Sequence, residues 1–412
     1  MKKFGKILLK ILPYFLCLVT FFTGFLVGNG CLDKDVRAVK NLIEKYKEYY
    51  YFEEGNIIDL ITPSLLDKYS EYYTKEEYKK IQEGAKGYTD GIGLRLENTT
   101  NKILLVTLNS PCDLVGVKEG GIVKKVIIDG AQYLNVQEIL NQTSVGKNVS
   151  LVVDYNGEET IYNIVKSNYK QTFVKYLDNT GEYSFRGNDG INFVKTSENS
   201  VILNADTGYL QYTSFSGKDS GLEGSVGQFA HALEKFNSDE KSKLILDLRY
   251  NGGGYVDVLE EIATMVLPSS NGSKQVIGVA TDKYGNIEKF KTKSVTFENY
   301  GIKKLVILAN SMTASASEVL IGAILDYALN YNGLELSVLI SDENKNNTST
   351  YGKGIMQTTY VNFDGSAVKL TTAKLTLPLS NKSIHGVGFT ESFDSRLKVV
   401  SENQIINYAL GL

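Results

Sequence analysis

Apolar positions change their spacing several times along the chain, and each change predicts a different kind of element. Val36, Val39, Leu42, Ile43 and Tyr46 recur at three- and four-residue intervals, which predicts amphipathic helices across residues 32–85. Within that stretch Thr74-Lys75-Glu76-Glu77 has the form of a capping box, in which the Thr hydroxyl and the third-position Glu satisfy backbone N–H groups. From Tyr88 to about Lys166 the pattern shortens to strands at Ile103–Leu108, Ile122–Ile128 and Val149–Tyr155, with turns at Asp129-Gly130 and Asn156-Gly157 and a short helix at Gln137–Leu140. Beyond Asn168 strands and helices alternate. Tyr209–Phe215, Lys243–Arg249 and Leu305–Ala309 are predicted strands, and Val226–Phe236, Val256–Met265 and Ala316–Asn330 predicted helices. Strands return over Thr358–Leu379. The fold class expected is α/β (mixed α+β), with partly parallel pairing in the core.

At 412 residues the chain has room for two or three domains. Its 44 basic residues face 47 acidic ones, which argues against a basic nucleic-acid-binding surface. The N-terminus sets a location. Lys2, Lys3, Lys6 and Lys10 lead into an uncharged stretch from Ile11 to Gly28, the form of an export signal whose basic end stays in the cytoplasm. About 17–25 apolar residues can span a bilayer, so the stretch is long enough to remain as an anchor. Gly28-Asn29-Gly30 also offers a signal-peptidase site and Cys31 a lipidation site, so the leader's fate stays open. The expected location is extracytoplasmic, on the membrane through the N-terminal segment, or secreted if the leader is cleaved. Of the three cysteines, Cys17 and Cys31 lie in or beside this leader and only Cys112 is elsewhere, which excludes a disulfide framework or a zinc cluster. No metal or other cofactor is expected. The helical region reads as a packing or dimerising arm, compatible with a homo-oligomer.

Three segments carry candidate chemistry, and each is ambiguous alone. Asp247-Leu248-Arg249-Tyr250-Asn251-Gly252-Gly253-Gly254 follows a buried strand. Its glycines permit close backbone approach and positive φ, and their N–H groups could serve an anion, although a plain strand-to-helix turn has the same composition. Thr313-Ala314-Ser315-Ala316-Ser317-Glu318 joins a strand to a helix. There the Ser315 hydroxyl sits at the positive end of a helix dipole and the Ala316 N–H faces an incipient oxyanion, while simple helix capping is the bland alternative. Tyr351-Gly352-Lys353-Gly354-Ile355-Met356-Gln357 sets a lysine between glycines, with no carboxylate following it until Asp364. A lysine acts as a base near neutral pH only if burial lowers its pKa well below about 10.4, and an exposed turn lysine is the alternative.

The order and character of these segments resemble the carboxyl-terminal processing peptidases, or tail-specific proteases. The combination Asp-Leu-Arg-x-Asn-x-Gly-Gly, Ser-Ala-Ser-Glu and Gly-Lys-Gly-x-x-Gln is specific to that family. Gly208-Tyr209 to Ser214-Phe215, Leu370-Thr371-Thr372-Ala373, Ser383-Ile384-His385-Gly386-Val387-Gly388 and the helical segments around Leu66–Ser70 and Tyr73–Tyr78 extend it over nearly all of the mature chain. The resemblance implies a ClpP/crotonase-like core with Ser315 as nucleophile, Lys353 as general base, Gln357 orienting the lysine amine, and an oxyanion hole from the N–H groups of Gly253 and Ala316. Ser317 and Glu318 read as structural. Tyr88–Lys166 resembles a PDZ domain, with Gly91-Ile92-Gly93-Leu94 at the carboxylate-binding loop and Ser110-Pro111-Cys112 to Gly116-Val117 at a helix-and-turn segment. The domains expected are a leader over 1–30, a helical region over 31–87, the PDZ domain over 88–168 and the protease core over 169–412. Partners expected are proteins or peptides with free C-termini, and the membrane.

The chain departs from the family at Gly121, where Asp is usual, and at Gly388-Phe389-Thr390-Glu391, which replaces a Gly-apolar-Pro-Asp ending. The stretch Tyr327–Thr350 is longer than usual and reads, around Asn346 and Asn347, as an exposed loop. Three alternatives compete with the Ser–Lys assignment. A Ser–His–Asp hydrolase would use His231 or His385. A non-catalytic scaffold would bind peptides through the PDZ domain alone. A cofactor site at Gly252–Gly254 lacks the phosphate-loop lysine or ribose-binding acid such sites need.

Overall fold

The computed structural model describes residues 34–49, 57–198, 203–218, 221–268, 273–293, 300–331, 333–342 and 348–412. The leader and Cys31, and Asn346 and Asn347, lie outside the described residues. The chain divides into Met1–Glu71 and Tyr72–Leu412. In the first unit the helical spacing forms Lys34–Tyr49 and Ile57–Leu65. Among the described residues no helix is long and apolar enough to cross a membrane.

The second unit opens with the helix Lys75–Ala85, started by the capping box its sequence encodes: Glu77 N–H donates to Thr74 Oγ1 at 3.3 Å and Thr74 N–H to Glu77 Oε2 at 2.8 Å. A β-rich module follows, closed by antiparallel pairing of Tyr88–Gly91 with Ser167–Lys170. It holds the hairpin pair Leu94–Leu96 and Ile103–Val106 and a four-stranded sheet in the order Ala131–Tyr133, Ile122–Ile128, Asn148–Tyr155, Glu158–Val165. Asp129-Gly130 and Asn156-Gly157 both carry two positive φ angles, the backbone that matches the twist of a tight hairpin. The helix Val136–Gln142 covers a separate core that includes Ile103, Val126, Leu151 and Val153.

The core sheet has eight strands. Their order is Asn192–Ser197, Glu182–Arg186, Val174–Leu177, Thr207–Tyr212, Lys243–Asp247, Lys304–Ala309, Glu335–Asp342, Leu397–Ser401. The first three pairings are antiparallel and the remaining four parallel. Lys243–Asp247 is buried at every position, which accounts for its near-continuous apolar run. Alternate residues serve opposite faces. Leu244, Leu246, Leu305 and Ile307 join the main core with the helices Ser225–Ser238, Val256–Val266 and Ala316–Ala328, while Ile245, Val306 and Leu308 pack with Ile405 and Ala409 of the C-terminal helix. A second sheet brings Ile355–Val361 against Ala367–Thr376, which pairs in turn with Val276–Asp282 and that strand with Ile287–Lys291. Its Ala373 and Leu375 enter the main core.

One expectation needs correcting. The stretch from Tyr327 to Thr350 is not mainly a loop, because Glu335–Asp342 is an inner parallel strand of the eight-stranded sheet. Its polar Glu335, Ser337, Ser341 and Asp342 hide the signal that Val338, Leu339 and Ile340 give once buried.

Candidate active site

Ser315 occupies the junction between the strand Lys304–Ala309 and the helix Ala316–Ala328, with φ 58° and ψ −118°. A positive φ is unfavourable for a residue with a Cβ and persists only where the surroundings enforce it. Here the enforcement is a lattice of hydrogen bonds. Thr313 Oγ1 donates to the Leu248 carbonyl at 2.8 Å, Ala314 N–H to the Asn251 carbonyl at 3.1 Å and Ser317 Oγ to the same carbonyl at 3.0 Å. Tyr250 N–H donates to Asn310 Oδ1 at 3.0 Å. The glycine-rich loop and the serine turn are therefore one stitched unit. Ala316 N–H, as the first of the helix, has no intrahelical acceptor and lies beside the nucleophile.

Asp247 and Arg249 anchor the start of this unit. Arg249 Nη2 meets Asp247 Oδ2 at 2.6 Å, its Nη1 meets Glu402 Oε1 at 2.7 Å, and Tyr209 OH donates to Asp247. Gly253 then runs alongside the serine at φ +93°, where a Cβ would lie 2.7 Å from both Ala314 O and Ala316 N. Only glycine fits. Its N–H donates to Asn251 Oδ1 at 3.0 Å, so of the two expected oxyanion donors Gly253 is already engaged by a side chain.

Lys353 reaches the same place from the other sheet, at the mouth of Ile355–Val361. Its flanking glycines are dictated by the loop at 385–388: a Cβ on Gly352 would lie 2.9 Å from Gly388 N, and one on Gly354 2.7 Å from His385 N. Burial lowers the Lys353 amine below its ordinary pKa of 10.5; the nearby Lys369 ammonium adds to the effect and Glu318 opposes it. Ser315, Lys353 and Gln357 line one cleft of about 280 Å³, together with Gly253 and Ala316. Its remaining walls include Val256, Leu259, Phe290, Val319 and Leu375. The Gln357 Nε2 is buried without a hydrogen-bond partner among the described residues.

Neither histidine lines this cleft. His231 lies on the helix Ser225–Ser238, its ring against the edges of Phe185 and Phe193, and His385 is exposed on its loop. Among the described residues no cluster of His, Cys, Asp and Glu could hold a metal.

Glu318, expected from its motif to be structural, ties the serine turn to the lysine loop. Fully buried, its carboxylate accepts from Ser315 N–H at 3.0 Å, Lys353 N–H at 2.8 Å, Gly352 N–H at 2.8 Å and Thr350 Oγ1 at 2.6 Å. A buried carboxylate three residues into a helix was the available signal, since charges are rarely buried without dedicated partners.

In the other module, a cleft of about 240 Å³ is lined by Gly91, Ile92, Gly93 and Leu94 on one side and by Gln137, Leu140 and Asn141 on the other. The expected peptide-binding residues thus share one groove between a strand and a helix.

The model of Peptidase family S41 matches residues 206–332, which include Ser315 but stop short of Lys353. A "Probable CtpA-like serine protease" of Staphylococcus aureus (strain N315) is 28% identical over 371 residues, covering 87% of this chain and 65% of that protein. One of Staphylococcus saprophyticus with the same description is 27% identical over 393 residues, covering 92% and 70%. The chain thus spans about two-thirds of the length of such relatives. Among solved structures, a photosystem II D1 C-terminal processing protease is similar at a TM-score of 0.50 and 20% identity, over 85% of this chain and 84% of that one, a likeness of fold. The chain is thus similar to peptidase family S41 over residues 206–332 and to CtpA-like serine proteases along most of its length.

Proposed function

We propose that this protein is a serine endopeptidase that cleaves exported or membrane-associated proteins through an acyl-enzyme formed on Ser315. The observation that carries the proposal is the convergence of Ser315, strained at a helix mouth, and a half-buried Lys353 of lowered pKa on one cleft. Neutral Lys353 takes the Ser315 proton as the hydroxyl attacks a peptide carbonyl, then returns it to the leaving amine, and water releases the acyl group. Ala316 N–H, and Gly253 N–H on exchanging its bond with Asn251, hold the oxyanion. Gln357 orients the amine. The apolar walls of the cleft favour an apolar side chain beside the scissile bond.

The β-rich module is proposed as a PDZ domain that captures substrate C-termini. Successive N–H groups over Gly91–Leu94 suit a terminal carboxylate, and the strand beside them suits an added peptide strand. Arg95 of that strand donates to the Tyr250 carbonyl at 3.3 Å, a physical link from the groove to the glycine loop of the active site. The basic leader supports an extracytoplasmic location at the membrane. The test compares wild type with Ser315→Ala and Lys353→Ala on an unstructured protein with an apolar C-terminus. Both variants should be inactive, and cleavage unchanged in either refutes the assignment.

A further inference from the structure

We infer that Glu318 is the positioning residue that fixes the backbones of the nucleophile and the base in one register. The inference rests on the Ser–Lys reading and deepens it.

Ser315 and Lys353 come from different parts of the fold. The serine begins the helix Ala316–Ala328, and the lysine precedes a strand of the second sheet. Each carboxylate oxygen of Glu318 takes two donors. Oε2 bonds the N–H of Ser315 and the N–H of Lys353, so the two catalytic residues share one acceptor atom. Oε1 bonds Gly352 N–H and Thr350 Oγ1, the residues that lead into the lysine. Three of the four partners are backbone N–H groups, which can only donate and so favour the ionised carboxylate, against burial, which raises the Glu318 pKa above its ordinary value. A helix cap that only closed its own helix would not bond a loop more than thirty positions away.

The same anion acts on the amine. The charged groups that act on Lys353 include Glu318 from the helix and Lys369 from the neighbouring strand, with the His385 backbone packed on Gly354. Lys369 disfavours the ammonium and Glu318 favours it. Removing the Glu318 charge therefore lets Lys353 lose its proton at lower pH, while removing its four hydrogen bonds loosens the Ser–Lys geometry.

The experiment measures kcat, KM and the pH–rate profile of the full chain for wild type, Glu318→Gln and Glu318→Asp, with thermal melts as a folding control. For Glu318→Gln, which keeps the shape but not the charge or all acceptors, kcat should fall about 100-fold with KM little changed, as expected for a misplacement near 1 Å. Its acid limb should move to lower pH. Glu318→Asp keeps the charge but shortens the reach, so kcat should fall while the acid limb stays. A folded Gln variant with wild-type kcat and an unmoved limb overturns the inference, as does a wild-type kcat in the Asp variant. Should Gln fail to fold, Asp decides; should neither fold, the carboxylate is purely structural and the inference is wrong. Ser315→Ala runs in parallel: its loss of activity beside an unaffected Glu318→Gln refutes only the role of Glu318, whereas activity in Ser315→Ala refutes the serine mechanism itself.

Discussion

Gly253 lies so close to Ser315 that a methyl group on it would come within 2.8 Å of the serine Cβ. The contact explains the glycine run better than flexibility does. At φ +93° the loop passes over the helix mouth with its backbone alone, and its N–H, held by Asn251 Oδ1 at 3.0 Å, is the second donor proposed for the oxyanion.

Gly253→Ala should therefore be far more damaging to catalysis than to folding. Strain at a positive φ and the forced displacement of the loop should cost about 1–3 kcal/mol of stability. Displacing the Gly253 N–H from the proposed oxyanion site should cost about 100- to 1,000-fold in kcat. Steady-state kinetics and denaturant melts on one preparation check both. Wild-type kcat in the folded variant contradicts the oxyanion role.

Activity should rise with pH through a group titrating below 10.5, because Lys353 must be neutral to act and burial lowers its pKa. Lys369, whose Nζ stands 5.3 Å from the Tyr73 ring centroid, also repels the Lys353 ammonium. Lys369→Met removes that repulsion, so the Lys353 pKa should rise and the acid limb should move to higher pH. A pH–rate profile showing movement in the opposite direction contradicts the assignment of the base.

The groove proposed to take peptide C-termini makes its own prediction. A Cβ on Gly93, at φ +85°, would overlap the Ser110 side chain, so Gly93→Ala should displace the 91–94 segment. Binding of a labelled apolar peptide with a free C-terminus should weaken at least about tenfold, about 1.4 kcal/mol. The amidated peptide should bind wild type more weakly than the free acid in fluorescence anisotropy. Equal affinity for both contradicts carboxylate capture.

Asp394 tests the far end of the nucleophile helix. Its carboxylate takes Arg396 Nε at 2.8 Å and Nη2 at 2.7 Å, while the same Nη2 donates to the Leu325 carbonyl at 2.8 Å. The Arg396 hydrogen bond chiefly holds the Asp394 pKa below its ordinary 3.8. A carboxylate of depressed pKa contributes stability above its unfolded value and loses it as pH falls through the folded one. Asp394→Asn should thus destabilise by about 1–2 kcal/mol at neutral pH, given its partial exposure. The gap from wild type should close as pH falls below 3.8. Urea midpoints at both pH values measure it.

What was legible in the sequence is what local pattern controls. Lys243–Asp247 announces itself because a strand buried on both faces must be apolar throughout, and Thr74 with Glu77 because a capping box is four residues long. Ser315, Lys353 and Gln357 were legible as motifs, and the fold brings all three to one cleft. Relations between distant segments were not legible. Glu318 reads as a helix cap until Gly352 and Lys353 are folded onto it. Nor does any spacing reveal that Asn251 holds the Gly253 N–H. Glu335–Asp342 was missed for a related reason, since its polar ends resemble a loop and only its place between two parallel neighbours makes its centre core.

The most direct test of the Ser–Lys account is acid quenching of the enzyme during turnover of a protein substrate, followed by peptide mass spectrometry. An acyl adduct should appear on the peptide that contains Ser315, and both adduct and turnover should be absent in Ser315→Ala and Lys353→Ala. Turnover that persists in Ser315→Ala, or an adduct on a different residue, contradicts it.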